Sequence, residues 1–169
     1  MKLLYSIGLL TICLSVKGQF NCNFKIDSCA LPLQKHKVQV ELMEVPIKKD
    51  YYVQFIKNSE KNFLKIIVSD NLGFGNKGSL LLLLNKKQIY IKTIELKVSN
   101  KTSGYFLLPL DNNNYLENIK DLGITKLIFC EKNECSIPKN DTEQIKKVAN
   151  CFYIAVQENS KSTDGKLQN

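Results

Sequence analysis

The chain has no arginine, no tryptophan and a single histidine, and past its first 18 residues it has no lysine-free apolar stretch of membrane-spanning length. Each gap removes a class of function. All 24 basic residues are lysines, so two-point recognition of phosphate, guanine or carboxylate by a guanidinium fork is excluded, and nucleic acid is not an expected partner. Lysine binds polyanions as scattered point charges, which leaves contact with an anionic membrane or polysaccharide surface open. The missing tryptophan removes the usual platform for stacking a sugar ring. Any Ser-His-Asp or Cys-His site must use His36. That residue lies between Lys35 and Lys37 at the exposed start of a strand and reads as a surface side chain.

What is present begins with an export pattern. Lys2 gives a positive start, Leu3 to Val16 is an apolar run, and Val16-Lys17-Gly18 places small or moderate residues around a cleavage point before Gln19. Residues 1–18 are expected to be a signal peptide. The run of 14 is short of the ~20 residues of a transmembrane helix. The lipoprotein alternative is poorer, because Ile12 precedes Cys13 where a small residue is wanted. The mature chain is therefore expected to be secreted or periplasmic, without a transmembrane segment. Removing Lys2 and Lys17 from the formal charge of +8 leaves 22 lysines against 16 acids, or +6.

The mature chain is expected to be one domain over 19–158, followed by a disordered tail over 159–169 that has nothing to bury. Its organising stretch is Ser79 to Val98. Leu80 to Leu84 is an uninterrupted apolar strand, which predicts cover on both faces, since a half-exposed leucine run invites aggregation. In the partner strand, Ile89 and Ile91 share one parity while Ile94, Leu96 and Val98 share the other. A strand changes face only through an extra residue, so a bulge is expected near Lys92-Thr93.

Around this hairpin, Gln19 to Pro32 reads as irregular. Val38 to Met43 is a half-buried strand ended by Pro46 and Lys48-Lys49-Asp50. Tyr51 to Ile56 and Phe63 to Val68 form a hairpin across the polar loop Lys57 to Asn62, and Tyr105 to Leu110 is a strand with Pro109 near its end. Asn112 to Asn114 cap a short helix whose apolar face is Tyr115, Leu116, Ile119 and Leu122, and Gly123 stops it. Ile124 to Cys130 is the last expected strand. A closing helix opens over Pro138 to Asp141, with Asp141 and Gln144 as an approximate capping box and Ile145, Val148, Ala149, Phe152, Ala155 and Val156 on its inner face. Strands first and helices last, with connections too short for crossovers, predict an α+β fold: a meandering antiparallel sheet with its helices on one face.

The sequence resembles small secreted proteins of flavobacterial type. The resembling features are the Gly18-Gln19 junction with a cysteine soon after it, the run from Lys77 to Lys92, Tyr105 to Leu110, Gly123 to Cys130, and Ala149-Asn150-Cys151 in the closing helix. What the resemblance implies is an exported bacterial protein of β-rich architecture; it carries over no catalytic residue.

Candidate chemistry is sparse. Gly73 to Gly78 matches G-x-G-x-x-G, but a short leucine strand follows where a dinucleotide site needs a helix, so a mobile glycine loop is the better reading. Glu41, Glu44, Asp70 and Glu95 lie on or beside strands, without the spacing information that a glycoside-cleaving pair requires. Asn100 and Asn140 begin glycosylation sequons, which are frequent by chance in a chain with 17 asparagines. No catalytic residue, cofactor or metal site is assigned.

Five cysteines remain after cleavage. Cys130 and Cys135 enclose a turn-sized gap and are paired here; Cys22 and Cys151 form the second proposed bridge, tying the two ends together, with Cys29 left over. The rival pairing is Cys22 with Cys29. The function most consistent with these readings is an exported, non-enzymatic module for an unknown envelope or extracellular partner. A carboxylate-dependent hydrolase and a lysine-rich binder of anionic surfaces are the alternatives.

Overall fold

A computed structural model describes residues 22–29, 36–48, 51–68, 78–85, 87–94, 97–100, 103–111, 114–129 and 133–164. Residues 1–18, expected to be a signal peptide, and Asp70, Gly73 to Lys77, Glu95, Cys130 and residues 165–169 lie outside the described residues.

The architecture is α+β, with two antiparallel sheets in place of the single expected one. Strands β1 (Lys25–Cys29), β2 (Val38–Lys48), β3 (Tyr51–Lys57) and β4 (Asn62–Val68) form a meander. Then come β5 (Gly78–Leu84), β6 (Gln88–Ile94), β7 (Lys97–Asn100) and β8 (Ser103–Pro109), helix α1 (Tyr115–Leu122), β9 (Ile124–Phe129), β10 (Asn133–Ser136) and helix α2 (Lys139–Asp164). The larger sheet has the order β1-β2-β3-β4-β8-β7 and the smaller β10-β9-β5-β6. The chain thus crosses from the large sheet to the small one after β4, returns after β6, and crosses again after β8.

The parity change in the isoleucine stretch marks the second crossing. Leu80 pairs with Ile91 but Gly78 with Ile94, so one residue too many lies opposite, at the Lys92-Thr93 step where the bulge is expected. Three residues beyond β6 the chain is already in β7 of the other sheet.

In the large sheet, register places Met43, Val45, Val53, Phe55, Leu64, Ile66, Phe106 and Leu108 on one face, and all are buried. The facing layer is the small sheet at one end and α2 at the other. Phe129 of β9 meets Phe106 at 5.3 Å and Tyr51 at 6.1 Å between ring centroids; Phe152 of α2 meets Phe55 at 5.6 Å. Tilted rings at these separations add to the roughly 1.5–3 kcal/mol that each such side chain contributes by leaving water.

The leucine strand β5 is central, between β9 and β6. Leu80, Leu82 and Leu84 are buried at 1%, 0% and 4% exposure, but Leu81 and Leu83 are only half-buried. Cover on both faces is therefore corrected: one face is in the core, and the other is partly open, where Leu81 lies beside Ile128 and Leu83 beside Lys126.

Two strands went unforeseen. β1, with the sequence KIDSC, lies inside the segment read as irregular, and β10, NECS, follows the strand read as last. Both are edge strands of mainly polar composition, and their pairing comes from a neighbour's backbone, so no alternation announces them. β2 passes through Pro46 and ends at Lys48, the start of the Lys48-Lys49-Asp50 stretch expected to end it. Among the described residues β1 reaches only Leu42, so Pro46 lies where β2 has a neighbour on one side alone and its missing N–H breaks no ladder on the other.

The helices follow the expected faces with different ends. Asn114 takes a left-handed conformation (φ 53°) and makes no side-chain cap on α1; its carbonyl accepts instead from the Asn118 N–H at 3.0 Å and the Asn118 amide at 2.8 Å. Gly123 stops α1 at φ +71°, its N–H donating to the Ile119 carbonyl. The carbonyl of Pro138 receives the Thr142 N–H at 2.9 Å, so α2 starts before Asp141, and the proposed capping box lies inside its first turns. The helix then runs to Asp164, six residues into the segment expected to be a disordered tail. Propagating a helix already nucleated and packed is far cheaper than starting one, which lets a polar stretch continue it.

Candidate functional site

The candidate site is an elongated groove on one end of the large sheet, beside the C-terminal half of α2. Its first cavity, of about 590 Å³, is floored by the β2 segment Gln39 to Glu41, walled by Ile26 of β1 and Val156 of α2, and rimmed by the β3–β4 turn. A second cavity of about 260 Å³ shares Asn62 and Val156 with it and continues to α1, where Asp111, Glu117 and Tyr153 line it. Together the two run from the edge strand β1 to α1, across the ends of the strands.

Local chemistry fixes the turn. The Asn58 side-chain oxygen accepts the Glu60 N–H at 2.6 Å, an Asx turn that replaces a missing backbone partner. The Asn58 N–H donates to the Lys61 carbonyl at 3.3 Å. Asn62 is held by Asp111, which accepts its backbone N–H at 3.1–3.2 Å and its side-chain amide at 2.8 Å. The Leu110 N–H returns a bond to the Asn62 carbonyl at 2.9 Å. The junction of the two cavities is thus tied to the end of β8.

At the first cavity, Lys57 forms an ion pair with Glu41 at 3.0 Å, and its ammonium lies 5.4 Å from the centre of the Phe24 ring. At the far end the Tyr153 hydroxyl donates to Glu117 at 3.3 Å, and Lys120 lies 5.0 Å over the Tyr153 ring. Asp121, at 2.9 Å, raises the Lys120 pKa through a side-chain hydrogen bond. Gln39 and Glu60 line the first cavity, and their side chains have no partner among the described residues.

The disulfide joins the N-terminal strand to the helix that borders the groove. Cys22 bonds to Cys151, with 5.6 Å between Cα atoms and 129 residues between them in sequence. The Cys22–Cys29 alternative is therefore not formed. Phe24 meets Phe152, the residue after Cys151, at 6.1 Å, so the segment leading into β1 is clamped to α2 by a covalent bond and a ring pair. Cys135 is buried on β10 opposite Leu127; its proposed partner Cys130 lies outside the described residues.

The other sequence candidates are dispersed. His36 is exposed just before β2. Glu41 and Glu44 are three apart on β2 and so point to opposite faces; Glu41 pairs with Lys57, and Glu44 accepts from the amide of the buried Gln54 opposite it on β3 at 2.5 Å. Asp70 and Glu95 lie outside the described residues. Among the described residues no group of three or more His, Cys, Asp or Glu side chains is arranged to hold a metal ion, and no helix is long and apolar enough to cross a membrane. Sequence reading treated Lys57 to Asn62 as a plain polar loop and did not single out Asp111, Glu117 or Tyr153. Their meeting depends on contacts 36 to 49 residues apart, Tyr153 with Glu117 and Asn62 with Asp111, and no local pattern encodes those.

Comparison with protein-family models, with curated proteins and with solved structures finds no match.

Proposed function

We propose that the protein is an exported, non-enzymatic binding module that presents its groove to a component of the cell envelope or its surroundings. The observation that carries this reading is the Cys22–Cys151 bridge, because structural disulfides persist in oxidising compartments and are rare in the reducing cytosol. The amino-terminal export pattern and the resemblance to small secreted proteins point the same way. The groove supplies a preformed cavity of the size that small ligands or peptide side chains occupy.

The test is fractionation of the producing cell, with intact-mass and non-reducing peptide analysis of the protein in its native fraction. The expected result is a chain beginning at Gln19 in the periplasmic or secreted fraction, with the Cys22 and Cys151 peptides linked. A cytoplasmic chain that retains Met1 to Gly18, and whose Cys22 and Cys151 are both alkylated without reductant, overturns the reading.

A further inference from the structure

We propose that the groove binds an extended peptide segment carrying lysine side chains. The chemistry rests on the groove alone; only the partner's location, outside the cytoplasm, rests on the export reading above.

Shape comes first. The two cavities meet at Asn62 and Val156 and run across strand ends from β1 to α1. A long trough open to solvent suits an extended chain better than a compact cofactor, which pockets usually enclose on most sides.

Charge sets the class of chain. Four carboxylates, Glu41, Glu60, Asp111 and Glu117, line the groove against one lining ammonium, that of Lys57; Lys57 is already paired with Glu41, and Lys120, over the Tyr153 ring at the far end, with Asp121. The whole chain is formally +8. The groove therefore has the opposite sign to the protein around it: it attracts a cation locally, while the surrounding lysines disfavour cation binding elsewhere, and this contrast selects position as well as partner.

Hydrogen-bonding capacity matches a peptide. Its backbone needs donors and acceptors in alternation; the Gln39 side-chain amide offers both, and Asn58, whose oxygen is held in the turn, offers its amide N–H groups. The Glu60 carboxylate, without a partner among the described residues, is an acceptor for an ammonium group. Between these polar groups Ile26 and Val156 give apolar surface, against which a lysine's aliphatic stem packs while its charged end reaches the rim. A neutral sugar uses less of this. The aromatic ring on the groove, Tyr153, has Lys120 over it and its hydroxyl engaged with Glu117, and the excess of carboxylates contributes nothing to a ligand without charge.

The experiment titrates the full oxidised chain with three probes: a blocked hexapeptide of alternating lysine and alanine, its glutamate-alanine counterpart, and a linear glucose hexasaccharide. Binding is followed by backbone amide shifts and calorimetry. The lysine peptide is expected to shift the amides of Gln39, Glu60, Asn62 and Val156, and to bind markedly more weakly at about 0.5 M salt than at about 0.02 M. Glu60→Lys is expected to weaken it by about tenfold or more. Glu134→Gln, on β10 and paired with Lys126, is expected to leave it unchanged. Three results overturn the proposal: no saturable binding of the lysine peptide, equal binding to the Glu60→Lys chain with its fold intact by circular dichroism, or binding of the sugar or the acidic peptide in its place. Because these titrations need no knowledge of location, a protein found in the cytosol that still binds the lysine peptide sinks the export reading alone. An exported protein that ignores the peptide sinks the groove proposal alone.

Discussion

The two ends of the β-layers are built on opposite principles. At the leucine end, Leu80, Leu82, Leu127 and Phe129 are sealed from water and carry no chemistry beyond packing. At the groove end, the large sheet finishes in Glu41, Lys57 and Asn62, whose polar groups line a cavity. Stability is concentrated where the sequence is most apolar, and binding potential where it is least periodic. A reader drawn to the loudest stretch of the sequence finds the core and walks past the site.

Four measurements sharpen or break this contrast. The largest effect is expected from Leu82→Ala. Leu82 is completely buried in a central strand, so the loss should be about 2–5 kcal/mol in denaturant melts. A loss below ~1 kcal/mol would show the leucine end to be peripheral. Next comes the clamp. Cys151→Ser, or reduction of the wild type, removes a cross-link over 129 residues and should cost about 2–4 kcal/mol. Amide exchange should also quicken in β1 well before it does in β5, and uniform quickening would mean that the bridge stabilises the whole fold without a special hold on the groove wall.

Gly123→Ala should cost about 1–3 kcal/mol for the backbone alone, because φ 71° with ψ 171° is reached essentially only by glycine. The added methyl would also lie 2.6 Å from the Thr142 methyl and 2.9 Å from Lys146 Cγ, so the thermal midpoint should fall by more than an exposed glycine substitution causes. A midpoint within a degree or so of wild type would mean that α1 and α2 part easily here. The smallest effect is expected at the groove itself. Glu41→Gln breaks an ion pair whose carboxylate side chain is 48% exposed, and should change stability by less than ~1 kcal/mol. A larger loss would make the groove a structural element and would blur the division between the two ends.

How much of this was legible follows from the same division. Period-two alternation in Tyr51 to Ile56 and Phe63 to Val68, and the helical spacing of Ile145, Val148, Ala149 and Phe152, are local consequences of having one buried face, so they could be read directly. The bulge at Lys92-Thr93 was legible for the same reason, as a break in parity. The split into two sheets was not: strand pairing such as that of β4 with β8 is set by contacts about 40 residues apart, and the polar edges β1 and β10 have no buried face to reveal them. Of the groove, Glu41 was visible as a strand carboxylate. Its relation to Lys57 across the β2–β3 pair, and the hold of Asp111 on Asn62, emerged only with register.

The span of the Cys22–Cys151 bridge also governs the order of events as the chain is made. Cys22 emerges first, and Cys29 follows seven positions later, whereas Cys151 arrives among the last nineteen residues. In an oxidising compartment the nearby thiol is encountered long before the correct one, and early capture of Cys29 would hold β1 away from α2. Reaching the final pairing from that state requires the Cys151 thiolate to attack the Cys22 sulfur of the Cys22–Cys29 disulfide and release the Cys29 thiolate, a reshuffling that takes seconds to hours unless an isomerase assists. A bridge that ties the ends of a molecule together therefore makes its maturation wait for the final helix.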